Sequence, residues 1–336
     1  AMKTIAADLR AFPVFLRLPV LALCALLAAG PAALADPGVW KRAWPDTDFS
    51  RTSIDFASIL SGGPPKDGIP SIDEPHFLKL ANYTDAAETE PVIAFAHKGD
   101  ARAYPLRVLI WHEIVNDTVG GLPVSVTYCP LCNSSVVFDR RLDGRVLEFG
   151  TTGKLRNSDL VMYDRQTESW WQQFTGTGIV GEMTGKRLAM LPSRVESLAQ
   201  FRARHPGGRV LVPTNPDFRA YGKNPYAGYD TSRRPFLYRG EMPIGIAPLA
   251  YVVKVGDRAW ALDKLRKEGT IVSGDLTLTW TRGQNSALDT PDIAGGRDIG
   301  NVVVRRRTAG GSRDEIHDVT FAFVFHAFVP DGVIHK

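Results

Sequence analysis

The sequence reads Gly99-Asp100-Ala101-Arg102-Ala103-Tyr104-Pro105-Leu106 at one place and Gly256-Asp257-Arg258-Ala259-Trp260-Ala261-Leu262 at another, each directly after an apolar run. Both stretches are typical of a turn and a returning strand, and each leads into a short helical pattern. The next strands, at 124–128 and 276–280, run on to Cys132-Asn133-Ser134-Ser135 in the first case and to Gln284-Asn285-Ser286-Ala287 in the second. This shared order, over roughly forty residues, predicts a degenerate internal duplication.

The predicted fold class is therefore α+β and β-rich, with two related lobes that each combine short strands with a helix. Residues 91–212 form the first lobe, which contains the Cys-x-x-Cys pair, and residues 213–336 comprise a long loop and the second, degenerate lobe. Residues 36–90 are rich in turn-forming residues and are predicted to be an irregular N-terminal segment. The last apolar segment, at 321–329, is predicted to be a closing strand.

The composition is that of a folded protein with no strong charge bias. The chain has 336 residues, of which 44% are hydrophobic and 23% charged, and its net charge is +4. These values argue against wholesale disorder and allow a sizeable core. The basic residues are scattered apart from Arg305-Arg306-Arg307. A nucleic-acid surface normally carries a basic stripe interleaved with aromatic residues, so we expect no nucleic-acid partner.

The first 35 residues have the pattern of a secretory signal peptide. Lys3, Arg10 and Arg17 precede an apolar run from Leu18 to Ala29, and Ala33-Leu34-Ala35 is a small-x-small cleavage pattern. We expect a periplasmic or secreted protein with no stable membrane span after signal cleavage. An uncut N-terminal anchor is the alternative. Cleavage would remove Cys24, so that Cys129 and Cys132 are the cysteines that stay.

The motif Cys129-Pro130-Leu131-Cys132 has three interpretations. As a structural disulfide it would close a loop of about four residues and contribute roughly 2 kcal/mol. As a metal knuckle it resembles the turns of rubredoxin and zinc-ribbon sites, where two thiolates point at one ion. As a redox pair it would need the low thiol pKa of a helix N-terminus, whereas residues 134–138 have the pattern of a strand.

A metal site needs donors beyond the two thiolates. His112 is the best candidate for a third ligand, and His97, Glu113, Asp159 and His326 are additional candidates. A set of two cysteines and a histidine suits zinc or copper, and the soft thiolates favour copper in an exported protein. The pair His112-Glu113 lacks the second histidine of a His-Glu-x-x-His motif, so metalloprotease chemistry is not supported.

Two further segments are rich in polar and aromatic residues. The stretch at 159–172 could line a ligand groove, and Tyr221, Tyr226 and Tyr229 could form a lid. Turn residues on a barrel surface and simple packing of a long loop explain the two patterns equally well.

Three motifs together resemble the bacterial DUF3179 family of exported proteins. They are Trp111-His112-Glu113-Ile114-Val115-Asn116-Asp117, Thr127-Tyr128-Cys129-Pro130-Leu131-Cys132 and Asn157-Ser158-Asp159-Leu160-Val161-Met162-Tyr163-Asp164-Arg165. The resemblance runs from about residue 60 to 330 and implies no activity, because the family has no assigned function. Asn133 stands where glycine is common in the family, and His326 stands where an aromatic or small residue is usual.

The leading hypothesis from the sequence is a periplasmic metal-binding protein with a copper or zinc ion at Cys129, Cys132 and His112. One alternative is a thiol–disulfide oxidoreductase that uses the same two cysteines. Another is a non-catalytic ligand-binding or scaffold protein with a structural disulfide. The sequence leaves open whether the protein is an enzyme.

Overall fold

The structure is a computed structural model that describes residues 36–336. The predicted signal peptide at 1–35 and Cys24 lie outside the described residues. Within 36–336, none of the helices combines the length and the apolar character that crossing a membrane requires.

The helices of this region are short. They are α1 (Pro37–Trp40), α2 (Leu106–His112), α3 (Leu198–Arg204), α4 (Leu262–Glu268) and α5 (Ala322–Phe328). Short 3-10 turns occupy Phe56–Ser58, Leu80–Asn82, Pro130–Cys132, Tyr229–Thr231 and Ile293–Gly295.

Strands make up most of the regular structure. Those of the first half are β1 (Ile59–Ser61), β2 (His76–Lys79), β3 (Pro91–His97), β4 (Asp100–Pro105), β5 (Ile114–Val119), β6 (Leu122–Cys129), β7 (Ser134–Asp139), β8 (Arg141–Leu142), β9 (Arg145–Val146), β10 (Phe149–Arg156), β11 (Asp159–Asp164) and β12 (Trp170–Gln172). Those of the second half are β13 (Thr177–Val180), β14 (Met190–Leu191), β15 (Arg194–Ser197), β16 (Arg209–Val212), β17 (Tyr251–Val255), β18 (Arg258–Ala261), β19 (Thr270–Ser273), β20 (Leu276–Thr281), β21 (Asn301–Thr308), β22 (Gly311–Asp314), β23 (Asp318–Phe321) and β24 (Val333–His335).

Five small sheets, arranged as a five-bladed β-propeller, form the fold. Their strand orders are β1-β10-β11-β12-β13, β14-β7-β6-β5, β15-β3-β4-β16-β2, β23-β17-β18-β24 and β19-β20-β21-β22; β8 and β9 form a separate two-stranded ribbon. The prediction of an α+β chain with two related lobes and a helix in each is therefore wrong. The protein is β-rich, and its largest hydrophobic cluster contains buried residues of all five sheets rather than of two separate lobes.

The similarity between residues 99–106 and 256–262 has a local counterpart in the blades. Each stretch spans the turn and second strand of a hairpin, β3–β4 or β17–β18, and each hairpin is followed at once by a seven-residue helix, α2 or α4. The repeated pattern thus describes a hairpin and its helix, which is only part of a blade. It does not specify how many sheets the whole chain forms.

The hairpins follow from local sequence chemistry. Gly120 and Gly121 connect β5 to β6 with φ values of 53° and 84°, a conformation that glycine adopts without steric cost. On α2, Leu106, Leu109 and Ile110 are buried at helical spacing, which anchors the helix on the sheets. The apolar segment at 321–329, predicted to be a strand, instead forms α5 over Ala322–Phe328.

The segment at 36–90 is part of the propeller. It supplies β1 to the edge of the sheet that contains β10, and β2 to the edge of the sheet that contains β16. Trp40 and Trp44 pack against Trp170, with ring centroids 5.1 Å and 5.3 Å apart. These contacts hold the segment on the blade of β10–β13.

Candidate metal centre

The two cysteines flank a single turn between two strands of one blade. Cys129 ends β6, residues Pro130–Cys132 form one 3-10 turn, and β7 begins at Ser134. Between the turn and β7, Asn133 has a φ of 46°, a left-handed conformation that asparagine tolerates better than most residues. Its side chain accepts a hydrogen bond from the Tyr128 hydroxyl and donates one to the Val319 carbonyl, at 3.1 Å and 2.8 Å. Asparagine at this position therefore fixes the turn.

Asp159 meets the two cysteines from a neighbouring sheet. It is the first residue of β11, and it follows a tight turn in which Asn157 and Ser158 both have positive φ values. One donor atom from each of Cys129, Cys132 and Asp159 lies within 4.8 Å of the other two, and all three residues are buried. This arrangement could hold a metal ion.

Only one carboxylate oxygen of Asp159 is occupied by conventional hydrogen bonds. Its Oδ2 accepts from Gln172 Nε2 at 2.6 Å and from the Phe174 backbone N–H at 2.9 Å. Its Oδ1 is buried and has no such partner among the described residues, so that the Cys132 thiol is its polar neighbour. A buried oxygen without a partner is costly unless something else satisfies it, and a cation beside the thiols would do so.

The buried site strongly favours neutral groups. Burial raises the pKa of Asp159 to about 7. Burial also raises the pKa of Cys129, and it raises the pKa of Cys132 well above its usual value, with the neighbouring Cys129 and Asp159 acting in the same direction. Since metal ligands of these types bind as thiolates and carboxylates, an ion entering the site would displace protons.

The predicted third ligand, His112, lies outside this cluster. It ends α2, and both of its ring nitrogens have other partners. Nδ1 lies 2.7 Å from the Pro70 carbonyl oxygen and Nε2 lies 2.7 Å from the Tyr221 hydroxyl. The ring also stacks on Tyr221 and Phe218. Asp159 takes the third place in the cluster that the sequence assigned to His112.

The other candidate residues fall in different places. His97 ends β3 and lines a surface cleft of about 610 Å³, and His326 lies on α5. Neither belongs to the cluster of Cys129, Cys132 and Asp159. Glu113 is buried directly after α2, and burial, with the Asp159 charge acting in the same direction, raises the pKa of its carboxyl to about 8. Glu113 is thus close to the site without belonging to the three-residue cluster.

One tyrosine of the long loop, Tyr229, is hydrogen bonded to the cysteine turn. The Tyr229 hydroxyl donates a hydrogen bond to the Leu131 carbonyl at 3.0 Å and accepts one from the Phe236 N–H at 3.3 Å. Ser158 Oγ donates to the Phe236 carbonyl at 2.6 Å, which joins the same loop to the turn that precedes Asp159. The loop therefore closes over the site.

A strand remote in sequence supports the turn from the other side. Thr320 Oγ1 donates a hydrogen bond to the Cys132 carbonyl at 2.7 Å, and Asp318 accepts hydrogen bonds from Ser134 Oγ and the Ser135 N–H. Asp318 and Thr320 were not among the candidates from the sequence. The pattern Asp318-Val319-Thr320 contains only the alternation of a strand, so no local signal marks these residues.

The family DUF3179, described as a protein of unknown function, matches residues 66–332. That range includes both cysteines, Asp159 and the strand that supports them. Neither a curated protein nor a solved structure matches the chain.

Proposed function

We propose that this chain, which belongs to the DUF3179 family, binds one transition-metal ion through Cys129, Cys132 and Asp159. The observation that carries the proposal is the unpartnered Oδ1 of Asp159, which is buried beside two thiols. Burial disfavours ionisation of the two thiols and of the Asp159 carboxyl. A single bound cation would offset this cost, because it neutralises the charges of all three groups together.

Zinc is the ion that fits this donor set best. Zinc accepts thiolate sulfur and carboxylate oxygen in the same tetrahedral site. Copper in its reduced state prefers a set of soft donors alone. The sequence analysis favoured copper with His112 as the third ligand. Because the third donor in the cluster is Asp159, the donor set favours zinc.

The burial of the ligands favours a binding role over catalysis at the ion. A catalytic zinc keeps a coordination position open to water and substrate. Cys129 is 1% exposed, and Cys132 and Asp159 are 0% exposed, beneath the loop that contains Tyr229. We therefore propose a metal-binding protein whose ion stabilises the cysteine turn and its contacts.

The geometry argues against a thiol–disulfide oxidoreductase. A reactive pair depends on a depressed thiol pKa and on access for the partner thiol. Both thiols here are buried with raised pKa values, and the cysteines flank one 3-10 turn followed by a strand.

We also propose that the protein functions outside the cytoplasm. The basic, apolar and small-residue order of positions 1–35 supports export. Cell fractionation of a tagged full chain tests this point, and a protein retained in the cytoplasm at full length contradicts it.

Elemental analysis of the purified protein tests the metal site. The wild type should contain about one zinc ion per chain. Variants C129S/C132S and D159A should contain none, whereas H112Q should retain the ion, because His112 binds Pro70 and Tyr221 instead. Equal and negligible metal in the wild type and the double cysteine variant, after reconstitution with zinc and with copper, overturns the proposal.

A further inference from the structure

The surface cleft of about 610 Å³ that His97 lines is separate from the candidate metal centre. It is formed where β3, β7 and α3 end and where β15 begins, and its lining contains neither the two cysteines nor Asp159. Its volume is in the range of small-molecule sites in proteins. The basic residues of its lining are His97, Lys98, Arg141, Arg194, Arg204 and His205. The charge of a ligand for this cleft therefore depends on which of these groups are still free.

The two carboxylates that line the cleft are already bound by arginines of the same lining. Arg141 Nε and Nη2 donate to Asp139 Oδ1 and Oδ2, at 3.0 Å and 2.7 Å. Arg194 Nε and Nη2 donate to Asp314 Oδ2 and Oδ1, at 2.8 Å and 2.6 Å. Both contacts are of the two-bond type that fixes an arginine on a carboxylate. The lining residues therefore present no uncompensated negative charge that could hold a cation.

Hydrogen-bond donors, in contrast, remain in excess. Within the part of the chain that the structure describes, the side chains of His97, Lys98 and His205 take part in no hydrogen bond and no ion pair. Arg204 binds the buried Glu196 through Nε and Nη2, at 3.0 Å and 2.6 Å, so its Nη1 is left for another acceptor. Lys98 is thus a cation without a counter-charge, and each imidazole has one N–H to donate even when it is neutral.

This surplus of donors matches a negatively charged ligand. Phosphate and carboxylate oxygens accept hydrogen bonds, and charge-assisted bonds from lysine or arginine are stronger than bonds between neutral groups. Lys98 extends from the turn between β3 and β4, whereas His205 follows α3, so the free donors belong to separate elements. A ligand with more than one anionic oxygen group can engage both elements at once.

We infer that this cleft, the anion cleft, binds a small organic dianion, a phosphate monoester or a dicarboxylate, with Lys98 and His205 as direct donors. The arginine–carboxylate pairs hold the walls, and the donors that meet the ligand give up no bond within the protein. Binding therefore costs little reorganisation. The anion cleft is a second site, and it does not depend on the proposed metal ion.

Isothermal titration calorimetry with defined anions measures this binding. Glycerol phosphate and succinate represent the two kinds of dianion, and the tighter of the two identifies the anionic group that the cleft prefers. Acetate carries one charge and should bind at least about tenfold more weakly, because it cannot engage both sets of donors. Glycerol should not bind. Added sodium chloride should weaken the binding of the dianion, since the contact is partly exposed and electrostatic.

Two variants remove the proposed donors with little change of shape. Lys98→Met retains the length of the side chain without its charge. His205→Phe retains the ring that packs on Phe201, with centroids 5.3 Å apart, without its N–H. Each should lower the affinity for the dianion by about tenfold, as expected for a lost bond to a charged ligand. Ser193→Asp adds a negative charge to the same lining and should abolish binding.

Matched controls lie elsewhere on the protein. Lys267→Met removes an exposed lysine of α4 that has no ion pair among residues 36–336. His335→Phe replaces a histidine that stacks on Trp260 at 5.1 Å, as His205 packs on Phe201. Neither control should change the affinity. All of these variants should keep the urea midpoint of the wild type to within the effect of a surface substitution.

The outcomes separate the anion cleft from the metal site. The double variant C129S/C132S should bind the dianion as the wild type does, so a failure of the proposed metal site leaves this result intact. A wild type that binds neither glycerol phosphate nor succinate overturns the inference. Equal affinities in the wild type, Lys98→Met, His205→Phe and Ser193→Asp also overturn it, because they place the bound anion outside the cleft.

Discussion

Ser134 Oγ donates a 2.5 Å hydrogen bond to Asp318 Oδ2, and this bond joins the strand after the cysteine turn to the neighbouring blade. Asp318 Oδ1 accepts from the Ser135 N–H at 3.0 Å. Both groups are buried, so the pair forms a buried polar contact between β7 and β23. The protonation of Asp318 therefore affects how firmly the two blades are held together.

We predict that Asp318 makes the protein less stable as the pH rises from 4 to 7. Burial raises the pKa of Asp318 to about 6, although the bonds from Ser134 and Ser135 oppose the shift. An unfolded aspartate has a pKa of about 3.9, so the native state holds the proton over a range where the unfolded state has lost it. The stabilisation is complete below about pH 4 and is lost through about pH 6, a change of about 3 kcal/mol.

Urea unfolding of the metal-free protein at several pH values measures this effect. The variant Asp318→Asn should lose about 1 kcal/mol of stability at low pH through its altered hydrogen bonds. The difference between wild type and variant should shrink or change sign as the pH rises to 7. A difference that stays constant from pH 4 to 7 contradicts the prediction.

Removal of the proposed zinc ion should destabilise the protein and expose its thiols. A ligand that binds only the native state adds about 2.7 kcal/mol to the free energy of unfolding at a concentration of 100 times Kd. Dialysis against a chelator should therefore lower the urea midpoint, and added zinc should restore it. The double variant C129S/C132S should unfold at the same urea concentration with and without zinc, and a zinc effect of equal size in this variant would assign the binding elsewhere.

Loss of the Tyr229 hydroxyl should loosen the cover of the cysteine turn. Tyr229→Phe leaves the Leu131 carbonyl and the Phe236 N–H without their partner, at a cost of about 1–2 kcal/mol. Alkylation of the thiols in the metal-free protein should become about tenfold faster, since local opening precedes the reaction. Tyr238→Phe serves as control, because its hydroxyl binds the exposed Glu241 carbonyl in the same loop. Equal rates in the two variants would show that Tyr229 does not restrain the turn.

Truncation of Trp44 should show that residues 36–90 belong to the folded core. Trp44 is 2% exposed and contacts the rings of Tyr163 and Trp170. The variant Trp44→Ala should lose about 3–5 kcal/mol of stability, as do other buried aromatic residues. Val39→Ala, at a position 71% exposed in the same segment, should be nearly neutral. A neutral Trp44→Ala variant would mean that the segment contributes nothing to the stability of the blade.

Local patterns predicted local structure well. The turn and returning strand expected at 99–106 belong to the hairpin of β3 and β4, and the short helical pattern expected after them is α2. The prediction of a strand at 321–329 was wrong, because a short apolar run fits a buried helix as well as a buried strand. Nothing within a few residues indicates that β15 returns to pair with β3, or β23 with β17, and those distant pairings define the blades.

The site was predictable in part for the same reason. The cysteine pair lies on one turn, so its spacing in the sequence is its spacing in space. Asp159 reaches that turn from another sheet, and the sequence could place it only among several candidates. His112 is nearer to the cysteines along the chain, but the path of α2 directs its ring to Pro70 and Tyr221.

The bond from Thr320 Oγ1 to the Cys132 carbonyl spans 188 positions of the chain. A polypeptide is synthesised from its N-terminus, so Cys132 leaves the ribosome long before the strand that supports it. During that interval the thiols are unprotected against wrong metals and oxidants. The environment of the cysteine turn thus depends on completion of the chain, and a protein truncated before Asp318 should leave both thiols open to reagents.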